Sequence, residues 1–96
     1  MNNTKDIIRK PIITEKATWL KDNENKYIFE VDMSSNKIEI KNAVEDLFKV
    51  GVTNVRTYTK HGKIRISGRF RGKRPDTKRA VVQLKEGDTI EFFESV

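Results

Sequence analysis

Nine cations crowd into about one fifth of this chain: Lys60, Lys63, Arg65, Arg69, Arg71, Lys73, Arg74, Lys78 and Arg79. A single carboxylate, Asp76, lies among them. Residues 60–79 therefore carry +8 in a chain whose net charge is +6, and the remainder sums to −2. A surface built for solubility intersperses signs, whereas a block of one sign marks an interaction surface for a polyanion. Arginine offers phosphate a planar fork of donors, and lysine a mobile point charge. Phe70, between Arg69 and Arg71, is placed to stack on an unpaired base. Gly62, Gly68 and Gly72 let the backbone approach a partner closely or adopt positive φ. These residues suit nucleic-acid binding. Phosphate charge alone does not choose between RNA and DNA. However, no helix in the chain is basic enough to read a major groove, which favours RNA.

Other chemistries lack residues to rest on. His61 is the single histidine. It lies at the mouth of the basic segment, placed to contact RNA or water rather than to act as a base. The thirteen carboxylates outside that segment show no paired spacing for acid–base work. Glu39, Glu45 and Asp46 read as the wet face of a helix. The absence of cysteine rules out disulfides, thiolate zinc sites and a cysteine nucleophile, and agrees with a reducing cytosol. No Walker loop, dinucleotide fingerprint or paired histidine set is present. The segment Gly68-Arg-Phe-Arg-Gly72 is faintly like an RNA-recognition-motif signature, but the flanking aromatics that would stack bases are missing. The chain is thus expected to be no enzyme, with no cofactor, metal or small-molecule substrate. No apolar stretch approaches the roughly 20 residues that span a bilayer, so no membrane insertion is expected. The start of the chain also lacks the layout of a secretory signal.

The elements that must position the basic segment follow from periodicity. Ninety-six residues suffice for one domain with one modest core. Pro11 disfavours helix before it, and Ile12-Ile13 reads as a brief strand. Thr14 suits a helix N-cap, with Glu15 at the positive end of the dipole, for a helix over about 15–21. Trp19 is either a core anchor or an exposed contact, the core being favoured. Lys26–Asp32 alternates as a half-buried strand. Asn36 and Glu39 have capping-box spacing. Ile40, Ala43, Val44, Leu47 and Phe48 then form one apolar stripe, with Glu45 and Lys49 as an i, i+4 pair and Gly51 as the stop. Val52–Lys60 and Thr77–Leu84 read as strands. Thr89–Glu94 is a strand or a helical turn. The order predicts an α+β domain in which helices cover a mostly antiparallel sheet.

Between the last two long strands lie sixteen residues, His61 to Asp76. Hairpin loops usually hold two to five, and longer ones tend to be functional or disordered. Lys63, Arg65 and Ser67 alternate with Ile64 and Ile66, so the first part extends the strand. Beyond it no apolar face is available for burial. Ordering such a loop costs on the order of 15 kcal/mol, so its tip is expected to order on a partner.

The chain resembles the universal large-subunit ribosomal protein twenty-three family. The markers are Pro11-Ile-Ile-Thr-Glu-Lys16, Asn36 to Val44 continuing to Leu47-Phe48, and Asn54-Val-Arg-Thr57. They go on through Gly62-Lys63, the basic run Gly68 to Arg74, Lys78 to Leu84 and Glu86-Gly-Asp88. The resemblance implies a three-layer α/β/α fold with a four-stranded, mainly antiparallel sheet whose first strand is Ile12-Ile13. It implies a cytoplasmic ribosomal protein that binds large-subunit rRNA (23S in bacteria) near the nascent-peptide tunnel exit, beside a neighbouring ribosomal protein. The loop 61–76 would thread among RNA helices, and Arg9, Lys10 and Lys16 would add RNA contacts. The body would help to dock trigger factor, the signal recognition particle and the translocation channel, with Glu15 as the docking glutamate. Other relatives carry a second acidic residue where this chain has Lys49. The residues alone leave one alternative, a free-standing regulatory nucleic-acid-binding module.

Overall fold

The computed structural model describes residues 7–90, with the backbone alone at positions 65, 67, 70 and 71. Strands β1 (Ile8–Pro11), β2 (Lys26–Val31), β3 (Val52–Lys60) and β6 (Thr77–Leu84) form one antiparallel sheet in the order β1-β2-β6-β3. Helix α1 (Glu15–Glu24) and helix α2 (Lys37–Phe48) lie on opposite faces of it. Among the described residues, strands β4 (Ile64–Ser67) and β5 (Phe70–Lys73) pair only with each other. The fold is thus α+β with helices on both faces of a four-stranded sheet.

Alternation sorts the two faces. Tyr27, Phe29 and Val31 of β2 and Ala80, Val82 and Leu84 of β6 point toward α2, where they meet Ile40, Ala43 and Val44. Phe29 stacks on Phe48 with ring centroids 5.6 Å apart. Burying each of the large side chains contributes about 1.5–3 kcal/mol, and this cluster is the main core. An irregularity between Val52 and Asn54 lets Val52 and Val55 both turn inward. The other face is thinner, with Ile28 and Val81 under Ile12, Ala17 and Leu20.

The helix starts follow local chemistry. Thr14 Oγ1 accepts from the Ala17 amide at 3.1 Å. Asn36 and Glu39 exchange side-chain-to-backbone hydrogen bonds of 2.8 and 3.1 Å, a complete capping box. Asn25 and Lys49 close the helices in the left-handed region, at φ 54° and 56°. Helix α1 therefore runs three residues past the expected Lys21.

Several expectations need correction. The first strand is Ile8–Pro11, not Ile12-Ile13. Proline, lacking an N–H, is tolerated on an edge strand, and the Ile12 amide still donates to Ile28. Trp19 is 56% exposed and belongs to no core cluster, because the thin layer beneath α1 is filled by smaller residues. Leu47 lies at the exposed margin of the α2 stripe. Gly51 is not the helix stop, since Lys49 turns the chain two residues earlier. Its amide instead donates to Asp88 Oδ2 at 2.7 Å. Glu45 accepts from the Val52 amide rather than pairing with Lys49, which sits 3.7 Å from Asp46. Most of Thr89–Glu94 lies outside the described residues.

Replacing Asn36 with alanine removes half of the capping box and leaves an amide of the first α2 turn without its acceptor. The expected loss is about 1 kcal/mol, read in urea unfolding as a lower midpoint at unchanged slope.

Candidate nucleic-acid interface

The last register pair of β3 and β6 is Lys60↔Thr77, so the chain leaves the sheet at both ends together. Residues 61–76 form a protruding hairpin whose arms are β4 and β5. The register runs from Ile64↔Lys73 to Ser67↔Phe70, and Gly68 turns at φ 59°. A two-stranded ribbon is marginally stable alone in water. Ile64 and Ile66 remain 54% and 73% exposed, so these two arm side chains find no cover among the described residues. Ile64 to Ser67, expected to extend β3, belong instead to this separate ribbon.

The base of the hairpin is closed by its one acid. Asp76 Oδ1 accepts from the Gly62 amide at 2.9 Å and lies 3.3 Å from Lys73 Nζ, while Oδ2 lies 3.3 Å from His61 Nδ1. The Arg74 amide donates to the Lys63 carbonyl. The backbones pass so closely that a Cβ on Gly62 would sit 1.7 Å from the Arg74 carbonyl oxygen, so this position requires glycine. Asp76 thus organises the cations rather than neutralising them. The Gly62 amide, more than His61 or Lys73, holds its carboxyl below the ordinary value, against a smaller opposing effect of desolvation.

The remaining predicted residues fall into groups. Lys60, Lys63, Arg69, Lys73 and Arg74 are exposed along the hairpin and its root; Arg65, Phe70 and Arg71 are placed on its arms by backbone register. Arg79 faces the α1 side of the sheet, opposite Tyr58 on β3. Its Nε is buried and has no hydrogen-bond partner among the described residues, an arrangement that costs about 1–3 kcal/mol when unrelieved. Lys16 on α1 borders the same side. Lys10 lies there too, 3.9 Å from Glu30.

Two predicted cations point elsewhere. Lys78 is turned to the α2 side, where Nζ donates to the Ser35 carbonyl ahead of α2. Arg9 lies 3.8 Å from Asp32. The Asp32 carboxyl is held below its ordinary value first by the Ser34 amide, then by the Ser34 hydroxyl. Glu15 is exposed in the first turn of α1, well supplied with open surface.

Sequence reasoning passed over Arg56 and Tyr58. Helix α1 covers Ile28 and Val81 but leaves β3 bare, so Arg56, Tyr58 and Lys60 line an open trough with Arg79 and Lys16. The signal was available: the alternation of 52–60 puts these three β3 residues on one face. No group of three or more potential metal ligands occurs among the described residues, and no helix there is long and apolar enough to cross a membrane.

A model of the ribosomal protein L23 family matches residues 6–92. The large ribosomal subunit protein uL23 of Geobacter metallireducens is 55% identical over 92 residues, covering 96% of this chain and 98% of that protein. The uL23 protein of Geobacter sulfurreducens is 54% identical with the same coverage. That of Pelotomaculum thermopropionicum is 49% identical over 96 residues, the full length of both.

The clasp has a defined pH dependence. Because the folded carboxyl of Asp76 is lowered, its stabilisation is complete above the unfolded value of about 3.9. It is lost as pH falls through the lower folded value. The Gly62 amide resonance should therefore titrate with a midpoint below about 3.9, and Asp76→Asn should remove that inflection.

Proposed function

The chain belongs to the ribosomal protein L23 family, and from that membership we propose that it binds large-subunit rRNA beside the exit of the nascent-peptide tunnel. As a large-subunit ribosomal protein it is a constituent of the cytoplasmic ribosome and not an enzyme, with rRNA and neighbouring ribosomal proteins as partners. Membership sets aside the free-standing regulatory module.

One observation carries the RNA reading: the basic hairpin. It concentrates cations on a ribbon whose isoleucines are exposed and whose single acid is engaged at its base. A polyanion that meets these donors would relieve the repulsion among them. Lys60, Lys63, Arg65, Arg69, Arg71, Lys73, Arg74 and Arg79 supply those donors, and Phe70 offers a surface for an unpaired base. Lys10 and Lys16 extend the basic surface from the N-terminal side.

The opposite task belongs to the body. Glu15 is exposed at the start of α1, flanked in space by the one-turn neighbour Trp19 and preceded by Ile13, which are 56% and 48% exposed. An acidic residue beside open apolar surface suits docking of trigger factor, the signal recognition particle or the translocation channel. Lys49 lends no acidic charge to this dock.

Two experiments test the reading. Neutralising Arg69, Arg71, Lys73 and Arg74 together should weaken rRNA binding and flatten its salt dependence. Each lost phosphate contact lowers the log–log slope by about 0.7 for single-strand-like contacts; an unchanged slope would mean that these side chains meet only solvent. Glu15→Ala should reduce trigger-factor binding to ribosomes several-fold at unchanged melting temperature. Lower melting with intact binding would reduce Glu15 to a helix-start residue.

A further inference from the structure

The trough beside α1 is not used by the hairpin, although it joins the hairpin at its root. Lys60 and Arg79 line both the trough and the cleft beneath the hairpin base. Lys16, Lys26, Arg56, Lys60 and Arg79 line the trough; Lys26 is paired with Glu24 at 3.2 Å, and among the described residues no carboxylate lines the trough itself. Glu30 stands across the β2–β6 ladder from Arg79, lines the hairpin cleft rather than the trough and lies 3.9 Å from Lys10. Tyr58 is 42% exposed and sits directly opposite Arg79 in the β3–β6 register. An aromatic face and a guanidinium therefore share one wall.

We propose that this trough is a second RNA surface, continuous with the hairpin root through Lys60 and Arg79, which takes one unpaired nucleotide with its base on the Tyr58 ring and its phosphodiester against Arg79 and Lys60. The proposal rests on the rRNA-binding reading and extends it to a surface that the basic segment alone does not reach. Charge decides the class of ligand, because a cationic wall without acids selects an anion. The exposed ring narrows it further. A duplex keeps its bases stacked inward, whereas an unpaired nucleotide can place its base on an aromatic side chain and its phosphate on a neighbouring cation. Arg56, Tyr58 and Lys60 recur every second residue along β3, roughly 6.7 Å apart. An extended single strand, which repeats one base and one phosphate per nucleotide, can follow that spacing. An acidic peptide would satisfy the cations but would leave the Tyr58 ring without a flat partner.

The test uses the full chain bound to deproteinised large-subunit rRNA. Ultraviolet irradiation of the wild-type complex should attach RNA to the peptide that contains Tyr58. In filter binding, Tyr58→Ala should weaken the complex about tenfold, while Tyr58→Phe, which keeps the ring, should stay within about twofold. Arg79→Lys should also weaken binding, because it keeps the charge but loses the planar fork. If Tyr58→Ala binds as tightly as wild type and Tyr58 is never cross-linked, while the neutralised hairpin variant still binds weakly, the second site is overturned and the hairpin reading stands. Loss of neither interaction on mutation would overturn both. Unchanged RNA affinity of Tyr58→Ala with weakened binding of a neighbouring ribosomal protein would assign the trough to protein, and would overturn the RNA site. The cross-link is read on unmutated protein, so a poorly folding variant does not blunt the test.

Discussion

The structure depends on β6 being paired along both edges. It is bonded to β2 on one side and to β3 on the other, so its backbone groups are satisfied without solvent and its side chains must alternate between two covered faces. Ala80, Val82 and Leu84 are assigned to the α2 core, and the intervening positions to the α1 side. Because β3 and β6 are also consecutive long strands in one antiparallel ladder, the chain between them leaves and re-enters the sheet at a single edge pair. The hairpin is thus a geometric consequence of where β6 lies. Its charge could not have been placed in the interior, and the topology keeps it outside.

Concentrating so many cations on one ribbon carries a self-repulsion that the folded protein does not remove. Asp76 does not offset it broadly; its oxygens are engaged by the Gly62 amide, His61 and Lys73 at the root. The effect is to set where the hairpin departs while leaving its arms electropositive. The exposed isoleucines on the arms act in the same direction, since they gain nothing from the protein's own core. The ribbon is therefore incomplete by itself, which is the property expected of a segment stabilised by its ligand.

Helix α1 divides the surface into two parts of different charge. Its small inner face, centred on Ala17, is enough to cover Ile28 and Val81 but too narrow to reach β3. The uncovered strand leaves Arg56, Tyr58 and Lys60 beside Lys16. On the same helix, Glu15 and Trp19 are exposed outside that trough. Neighbours in sequence, Glu15 and Lys16, thus serve surfaces of opposite character, because successive helix positions are rotated by about 100°.

The amino-acid sequence by itself determined the elements whose causes are local. The caps at Thr14 and Asn36, the stripe on α2, the alternation of β2, β3 and β6 and the charge of residues 60–79 all depend on neighbours within a few positions. The family markers were legible for the same reason, being short runs in fixed order. Tertiary structure decided what depends on distant neighbours. It ended the first strand at Pro11 rather than beginning it after, because an edge was available there, and it exposed Trp19 because the layer beneath α1 was already filled. It drew Lys78 to the Ser35 carbonyl and withdrew Lys49 from Glu45. It also brought Arg79 of β6 opposite Tyr58 of β3, residues 21 positions apart. No local periodicity reports such a meeting, because it arises only when the two ladders of β6 are closed in one register.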